Sequence, residues 1–266
     1  MTAAAIGAPA IVITGASSGI GREIARVAIN DGHPLVLLGR SESALAELVQ
    51  ELGEIRPDIP VHTLRVELQS KLAIAQLEAL LATNNLTCEV LVNSAGLGSF
   101  GPVAESDNDI LAELIDVNVK AVVALTLRFL PGMIARGRGG IINLGSITAY
   151  APGPDMATYC ASKAFVRSFS AALSAEVAGT GVTVTCVVPG VLRTRFFDRA
   201  PMKQSRLMKI LPRGNTANTA RAAWRAFKRG RSRVFPRHID RVIINFCWLM
   251  PDWLLARLVL ALQRAP

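Results

Sequence analysis

The sequence predicts an α/β fold in a single domain: a doubly wound parallel sheet in three layers, with helices on both faces. Three observations carry this. Short β-rich apolar runs alternate with longer stretches of helical periodicity along the 266 residues, the pattern of strands joined by crossover helices. The runs L-V-L-L and I-I-N-L are apolar on both faces, as expected for strands buried from both sides. A glycine-rich turn from Thr14 to Gly21 joins the first run to the first helix, and doubly wound sheets bind ligands at such carboxyl ends of strands.

Strands are expected near residues 10–14, 35–39, 61–65, 88–93, 139–145 and 182–187, with a short seventh near 232–235. Helices fill the gaps. The first shows Ile20, Ile24, Val27 and Ala28 at helical spacing and stops at Gly32 before Pro34. Another is expected near 216–230. No linker, internal repeat or low-complexity stretch interrupts the pattern. The opening M-T-A-A-A-I-G-A-P-A-I-V-I-T-G lacks a basic segment and runs straight into the glycine turn, so it reads as a first strand rather than a signal peptide.

With 51% hydrophobic and 18% charged residues, the chain has ample material for a core, which excludes disordered, coiled-coil and collagen-like classes. Cys88, Cys160, Cys186 and Cys247 are scattered without a C-x-x-C pair, giving neither a zinc signature nor a disulfide framework and fitting a reducing cytoplasm. No His/Cys/Asp cluster has ligand spacing, so no metal is expected; His33, His62 and His238 stand alone. The net charge of +9 is local: residues 193–241 hold 15 Lys and Arg against 2 acids, a balance of +13. Such a stretch suits nucleic acid, an anionic membrane or a phosphate-bearing ligand, or is simply a solvated helical face. No nucleic-acid recognition motif accompanies it, so nucleic acid is not an expected partner.

Glycines in the turn after the first strand let the backbone close on a pyrophosphate, while the N–H groups and positive dipole of the next helix hold it. Gly15, Ser17, Ser18, Gly19, Ile20 and Gly21 are the candidates. The spacing of Gly15, Gly19 and Gly21 departs from G-x-G-x-x-G and resembles the short-chain dehydrogenase/reductase family. Further on, Asn93-Ser94-Ala95-Gly96 is similar to the family's N-N-A-G, with Ser94 replacing the second Asn. Asn118 lies in V-N-V, Ser146 ends the fifth strand, and Tyr159-Cys-Ala-Ser-Lys163 matches Y-x-x-x-K. Pro189-Gly190 with Val191 and Thr194 resembles the P-G-x-x-x-T loop over a nicotinamide. These motifs run in family order across residues 10–195, and the last 70 residues are much less typical. The resemblance implies a Rossmann fold and hydride transfer between a nicotinamide cofactor and an alcohol or carbonyl.

An acid at the end of the second strand would bind the ribose hydroxyls of NAD, and a base the extra phosphate of NADP. Gly39-Arg40-Ser41 offers no acid; Arg40 is suited to the 2′-phosphate, with Ser41 adding a hydrogen bond and Arg22 a second charge, which favours NADP(H) over NAD(H). Where the family commonly places Asp for the adenine amino group, this chain has Glu67, and either it or the Leu68 backbone is expected to serve.

Hydride transfer to a ketone needs a proton at the carbonyl oxygen and a hydrogen bond that orients it. Tyr159 is the candidate acid. Lys163, four residues later on the same helix face, is expected to lower the phenol toward neutral pH. By the resemblance, Ser146 binds the substrate oxygen and Asn118 holds a water linking Lys163 to solvent. Leu97, Phe100, Ile147, Tyr150 and Met156, then Val191, Phe196, Phe197 and Met202, are the expected pocket walls, pointing to a bulky lipophilic substrate such as a steroid, terpenoid or fatty-acyl chain. A non-catalytic NADP-binding sensor or scaffold is the alternative.

Residues 1–241 are assigned to the catalytic domain and 242–266 to an apolar extension. Within it the run from Val242 to Leu262 has bilayer length, but Asp252, Arg257 and Pro251 oppose spanning; a lid, a subunit contact or a membrane-surface segment are the readings left. Family members pair through the helices carrying Asn118 and Tyr159, so a homodimer is expected, with a tetramer second.

Overall fold

The computed structural model describes residues 7–192 and 211–264. Among them, β1 (Ala8–Thr14), β2 (Leu35–Gly39), β3 (Val61–Arg65), β4 (Leu86–Asn93), β5 (Gly139–Leu144), β6 (Val182–Val187) and β7 (Arg233–Val234) form one sheet in the order β3-β2-β1-β4-β5-β6-β7. Every pairing is parallel. All the strands fall where the hydrophobic pattern puts them. The order reverses between β1 and β4, which opens a crevice at their carboxyl ends.

Helices α1 (Gly19–Ala28), α2 (Glu42–Ile55) and α7 (Thr216–Lys228) cover one face of the sheet; α3 (Ala73–Thr83), α5 (Ala121–Ala135) and α6 (Ala157–Glu176) cover the other. Side chains alternate across a strand, so Ile11 and Ile13 of β1 pack under the first set while Ala10 and Val12 pack under the second. The same split places Leu35 and Leu37 opposite Val36 and Leu38 on β2. On β4 the alternation slips, because the register jumps where Ala10 pairs with Cys88 but Ile11 pairs with Val90. Glu89 is the extra residue of this bulge, and Cys88 and Leu91 therefore face the same side. Its carboxylate meets Arg138 at 3.3 Å.

A shorter α4 (Asn108–Ile115) runs into α5 through a π-helical turn, Asp116–Lys120, with Asn118 at its centre. The C-terminal stretch forms α8 (His238–Trp248) and α9 (Asp252–Arg264), interrupted at Pro251, which has no N–H to continue the ladder. No helix among the described residues is long and apolar enough to cross a membrane. Ile244 and Leu255 pack inward, while Val242, Trp248, Leu249 and Trp253 are largely exposed.

Leu91 is fully buried in the central strand. Its replacement by Ala removes apolar contact and leaves a cavity walled by a sheet that cannot collapse, so Leu91→Ala is expected to lower unfolding free energy by about 2–5 kcal/mol in a denaturant titration. A loss below about 1 kcal/mol would contradict this packing.

Candidate active site

A single cleft of about 1230 Å³ runs from the glycine turn after β1, past the ends of β4, β5 and β6, to α8 and α9. That exceeds the usual range for one small ligand of roughly 300–1,000 Å³ and leaves room for a dinucleotide with a substrate beside it. At its closed end Gly15 sits at φ +65°, and a Cβ there would lie 2.7 Å from Ala95 Cα. Only glycine fits. Ser18 occupies the N-cap of α1 but makes no side-chain cap, and the first turn carries no acid. Free N–H groups without a competing anion suit a phosphate. Ser17, Gly19, Ile20, Ser41, Ala95 and Gly96 also line this part of the cleft.

Arg40 lies at the rim where β2 ends, and Glu113 of α4 accepts a hydrogen bond from its Nη1 at 3.1 Å. The pair is substantially exposed, which makes it weak and exchangeable for a phosphate. Arg22 is committed elsewhere, to Glu51 and Glu47 of α2, so it does not stand as the second charge expected from sequence. Glu67 also points away: it is exposed, whereas Leu68 and Gln69 line the cleft.

The reacting end is assembled by three elements. Ser146, directly after β5, caps the short turn Ile147–Tyr150, and its Oγ accepts from Thr148 N–H at 3.2 Å. The loop after β6 meets it there, since Ile147 N–H donates to Pro189 O at 3.0 Å. Tyr159 and Lys163 project from one face of α6, with the Lys163 Nζ 5.9 Å from the centre of the phenol ring. Lys163 donates to Leu144 O at 2.9 Å. From the π-helical turn, Asn118 Oδ1 accepts from Leu97 N–H at 2.8 Å while its Nδ2 donates to Leu97 O and to Ser162 Oγ. Gly96 lies between these groups; a Cβ there would come within 3.3 Å of Asn118 Oδ1 and 3.5 Å of Lys163 Nζ.

Burial dominates the electrostatics. It brings the Lys163 ammonium down to about 8. It pushes the Tyr159 phenol above its ordinary value, and the neighbouring Ser146 and Thr148 hydroxyls offset only part of that. The expectation that Lys163 lowers the phenol is therefore not met in this structure: desolvation outweighs a cation that is itself held toward neutrality. Cys160, next to Tyr159 in the cleft wall, is likewise raised by burial, to about 11.

Several assignments from sequence move. Asn93 does not reach the cleft; its Nδ2 donates to Asn143 Oδ1 at 2.8 Å, and Asn143 in turn to Ser170, tying β4 to β5 and α6. Asn118 engages Leu97 and Ser162 with its side chain, beside Gly96 and Lys163. Tyr150 turns out of the cleft to pack on Phe235 and Trp248, with Arg233 donating to its hydroxyl at 3.2 Å. Leu97, Phe100, Ile147, Met156, Pro189, Gly190 and Val191 do line it; Thr194, Phe196, Phe197 and Met202 lie outside the described residues. Missed from sequence were Thr14, whose Oγ1 accepts from both Ser94 and Ala95 N–H at 3.1 Å, and Thr148, whose buried hydroxyl stands beside Tyr159 and Cys160. The inward faces of α8 and α9, with Ile244, Leu255 and Leu258, also close the cleft.

The Lys163 value has a measurable consequence. Between about 8 and the unfolded value near 10.4, the unfolded chain binds more protons at this lysine than the folded one, so stability from this group rises with pH in that window. The denaturant midpoint of the wild type should therefore gain on that of Lys163→Met as pH goes from 8 to 10. Parallel profiles would show that Lys163 is not held low.

The model of the short chain dehydrogenase family matches residues 9–205. Sulfoacetaldehyde reductase 2 of Chromohalobacter salexigens is 40% identical over 190 residues, covering 70% of this chain and 73% of that protein. Among solved structures, a short-chain dehydrogenase from Sphingobium yanoikuyae in complex with NADPH superposes with a TM-score of 0.78 at 27% identity, over 92% of this chain and 97% of that one. The bulky-bulky ketone specific alcohol dehydrogenase from Comamonas testosteroni gives 0.73 at 26%, over 92% and 95%. With this sheet order, the glycine turn at the strand reversal, and a match over most of its length, the chain belongs to the short-chain dehydrogenase family and is an oxidoreductase acting between alcohol and carbonyl.

Proposed function

We propose that the protein is an NADP(H)-dependent oxidoreductase interconverting a ketone or aldehyde and an alcohol on a bulky apolar substrate. The observation that carries this is the convergence of Ser146, Tyr159 and Lys163 in one cleft whose far end holds the glycine turn and Arg40. The neighbour from Sphingobium yanoikuyae is complexed with NADPH, and Arg40 is the side chain suited to the extra phosphate. Gly15, Ser17, Ser18, Gly19 and Ile20 would hold the pyrophosphate, with Gly21 packing the helix start against Gly15 O, Leu68 the adenine side, and Ala95, Gly96, Pro189, Gly190 and Val191 the remainder. The bound cofactor supplies or accepts the hydride.

The chain itself manages the proton. Ser146 Oγ accepts from Thr148 N–H, and its own hydroxyl, which lies in hydrogen-bond contact with the Tyr159 phenol, would turn to the substrate oxygen when that oxygen sits between them. A phenol held above its ordinary value stays protonated at neutral pH, so Tyr159 is ready to donate as negative charge develops on that oxygen. Lys163, with a value of about 8, is still mostly cationic at pH 7 and sits where it stabilises the phenolate left behind. Asn118 is a positioning residue, fixing Leu97 and through Ser162 the start of α6.

For the substrate, the walls favour apolar bulk. Apart from Arg40 and Lys163, no cation lines the cleft among the described residues, which suits a ketone of the bulky class named for the Comamonas testosteroni enzyme better than a sulfonate. Four free cysteines suit a reducing cytoplasm. For assembly, Leu127 of α5 and Phe165 of α6 stand exposed on the two helices beside the site. Their apolar surface fits a homodimer interface, and sedimentation at the mass of one chain would refute it.

The test of function is a titration with NADPH and NADH followed by turnover on bulky and small carbonyl compounds. NADPH should bind at least about tenfold more tightly, and Arg40→Ala should remove most of that preference. Tyr159→Phe should lower turnover about 10²–10⁴-fold while NADPH affinity stays intact. Turnover surviving in Tyr159→Phe would remove the acid assignment, and nucleotide binding without turnover in the wild type would remove the enzymatic reading of this substrate class.

A further inference from the structure

Asp240, in the first turn of α8, is fully buried, a costly place for a carboxylate unless it is paired and hydrogen-bonded. Both conditions are met. Arg237 grips it with two nitrogens, Nε to Oδ2 at 3.0 Å and Nη2 to Oδ1. The remaining contact comes from the loop after β6: Gly190 N–H donates to Asp240 Oδ2 at 3.2 Å. The fit is close enough that a Cβ on residue 190 would collide with both Asp240 Oδ1 and Arg237 Nη2.

Arg237 reaches a second strand of chain as well. Its Nη1 donates to Pro212 O at 2.5 Å, and a Cβ on Gly214 would lie 3.3 Å from its Cδ. Gly214 itself is joined to the loop after β6, its N–H donating to Val191 O at 2.7 Å. The ion pair thus holds Gly190 directly and bears on Val191 through the Pro212–Gly214 segment, while both residues line the cleft.

We propose that Arg237 and Asp240 are positioning residues for the nicotinamide half of the cofactor: they fix the Gly190–Val191 backbone that would line its site. The pair touches neither the glycine turn nor Arg40, so the adenine half is held independently. The proposal rests on the cofactor reading above and assigns to the atypical C-terminal region a role in cofactor geometry.

The experiment is calorimetric titration of purified wild type and Asp240→Asn with two probes: NADPH, and adenosine 2′,5′-bisphosphate, which carries only the adenine half and its phosphates. Asn keeps the size and one acceptor but loses the charge that holds Arg237 and Gly190 together. The expected result is at least a tenfold rise in the NADPH dissociation constant with less than a twofold change for the bisphosphate. Equal losses for both probes, or no loss for either, would overturn the proposal, since a purely structural role does not distinguish the two halves. If Asp240→Asn does not fold, Arg237→Lys, which keeps the charge but not the two-pronged grip or the reach to Pro212, is read in the same way. Failure of the wild type to bind NADPH, while still binding the bisphosphate or neither probe, would instead overturn the cofactor reading and this proposal with it.

Discussion

The cleft depends on how closely the ends of β1 and β4 approach each other. These strands are neighbours in space although two strands separate them in sequence, and the turn leaving one must pass the turn leaving the other. Thr14 makes the passage possible: its hydroxyl donates to Val92 O and receives the N–H groups of Ser94 and Ala95. The backbone of Gly15 then rests against Ala95, and Gly21 against Gly15 O. Glycine at 15 is a requirement of packing before it is one of ligand binding, and the two coincide because a ligand needs the same bare backbone.

From that junction the remaining elements take their places outward. Gly96 continues from the β4 turn to lie under Asn118 and Lys163, and Asn118 in turn fastens the π-helical turn to Leu97 and α6. On the far side, Ile147 N–H ties the turn after Ser146 to Pro189 O, so the ends of β5 and β6 are fastened to each other. Buried hydrogen bonds of this kind are costly to leave unmade. The consequence is a site whose donors are aimed by main-chain geometry rather than by flexible side chains alone.

The strands were legible in the sequence because a sheet covered on both faces strongly favours apolar residues in its interior, admitting a polar one such as Asn143 only with its hydrogen bonds made, and the runs at 35–38 and 141–144 show that bias. Gly15, Ser146, Tyr159 and Lys163 were legible for a different reason: their chemistry requires a fixed short spacing or a fixed place at a strand end. What escaped were contacts made between distant positions. Glu113 reaches Arg40 across 73 residues, and Asp240 reaches Gly190 across 50; nothing local marks either pairing. Tyr150 escaped because a tight helical turn after Ser146 rotates successive side chains to different sides, so proximity in sequence to the site did not mean pointing into it. Arg22 escaped because α2 brings Glu51 alongside it, a partner set by helix packing.

The environment that raises Tyr159 also governs its neighbour. A thiolate is the reactive form of cysteine, and in a cleft built for carbonyl compounds a thiolate would attack the very group the site receives. With its value raised to about 11 by burial, Cys160 presents a thiolate in only about one molecule in ten thousand at pH 7. The burial that keeps the Tyr159 proton in place thereby also keeps the neighbouring thiol from reacting with a carbonyl guest, so acid chemistry and chemical durability share one physical origin.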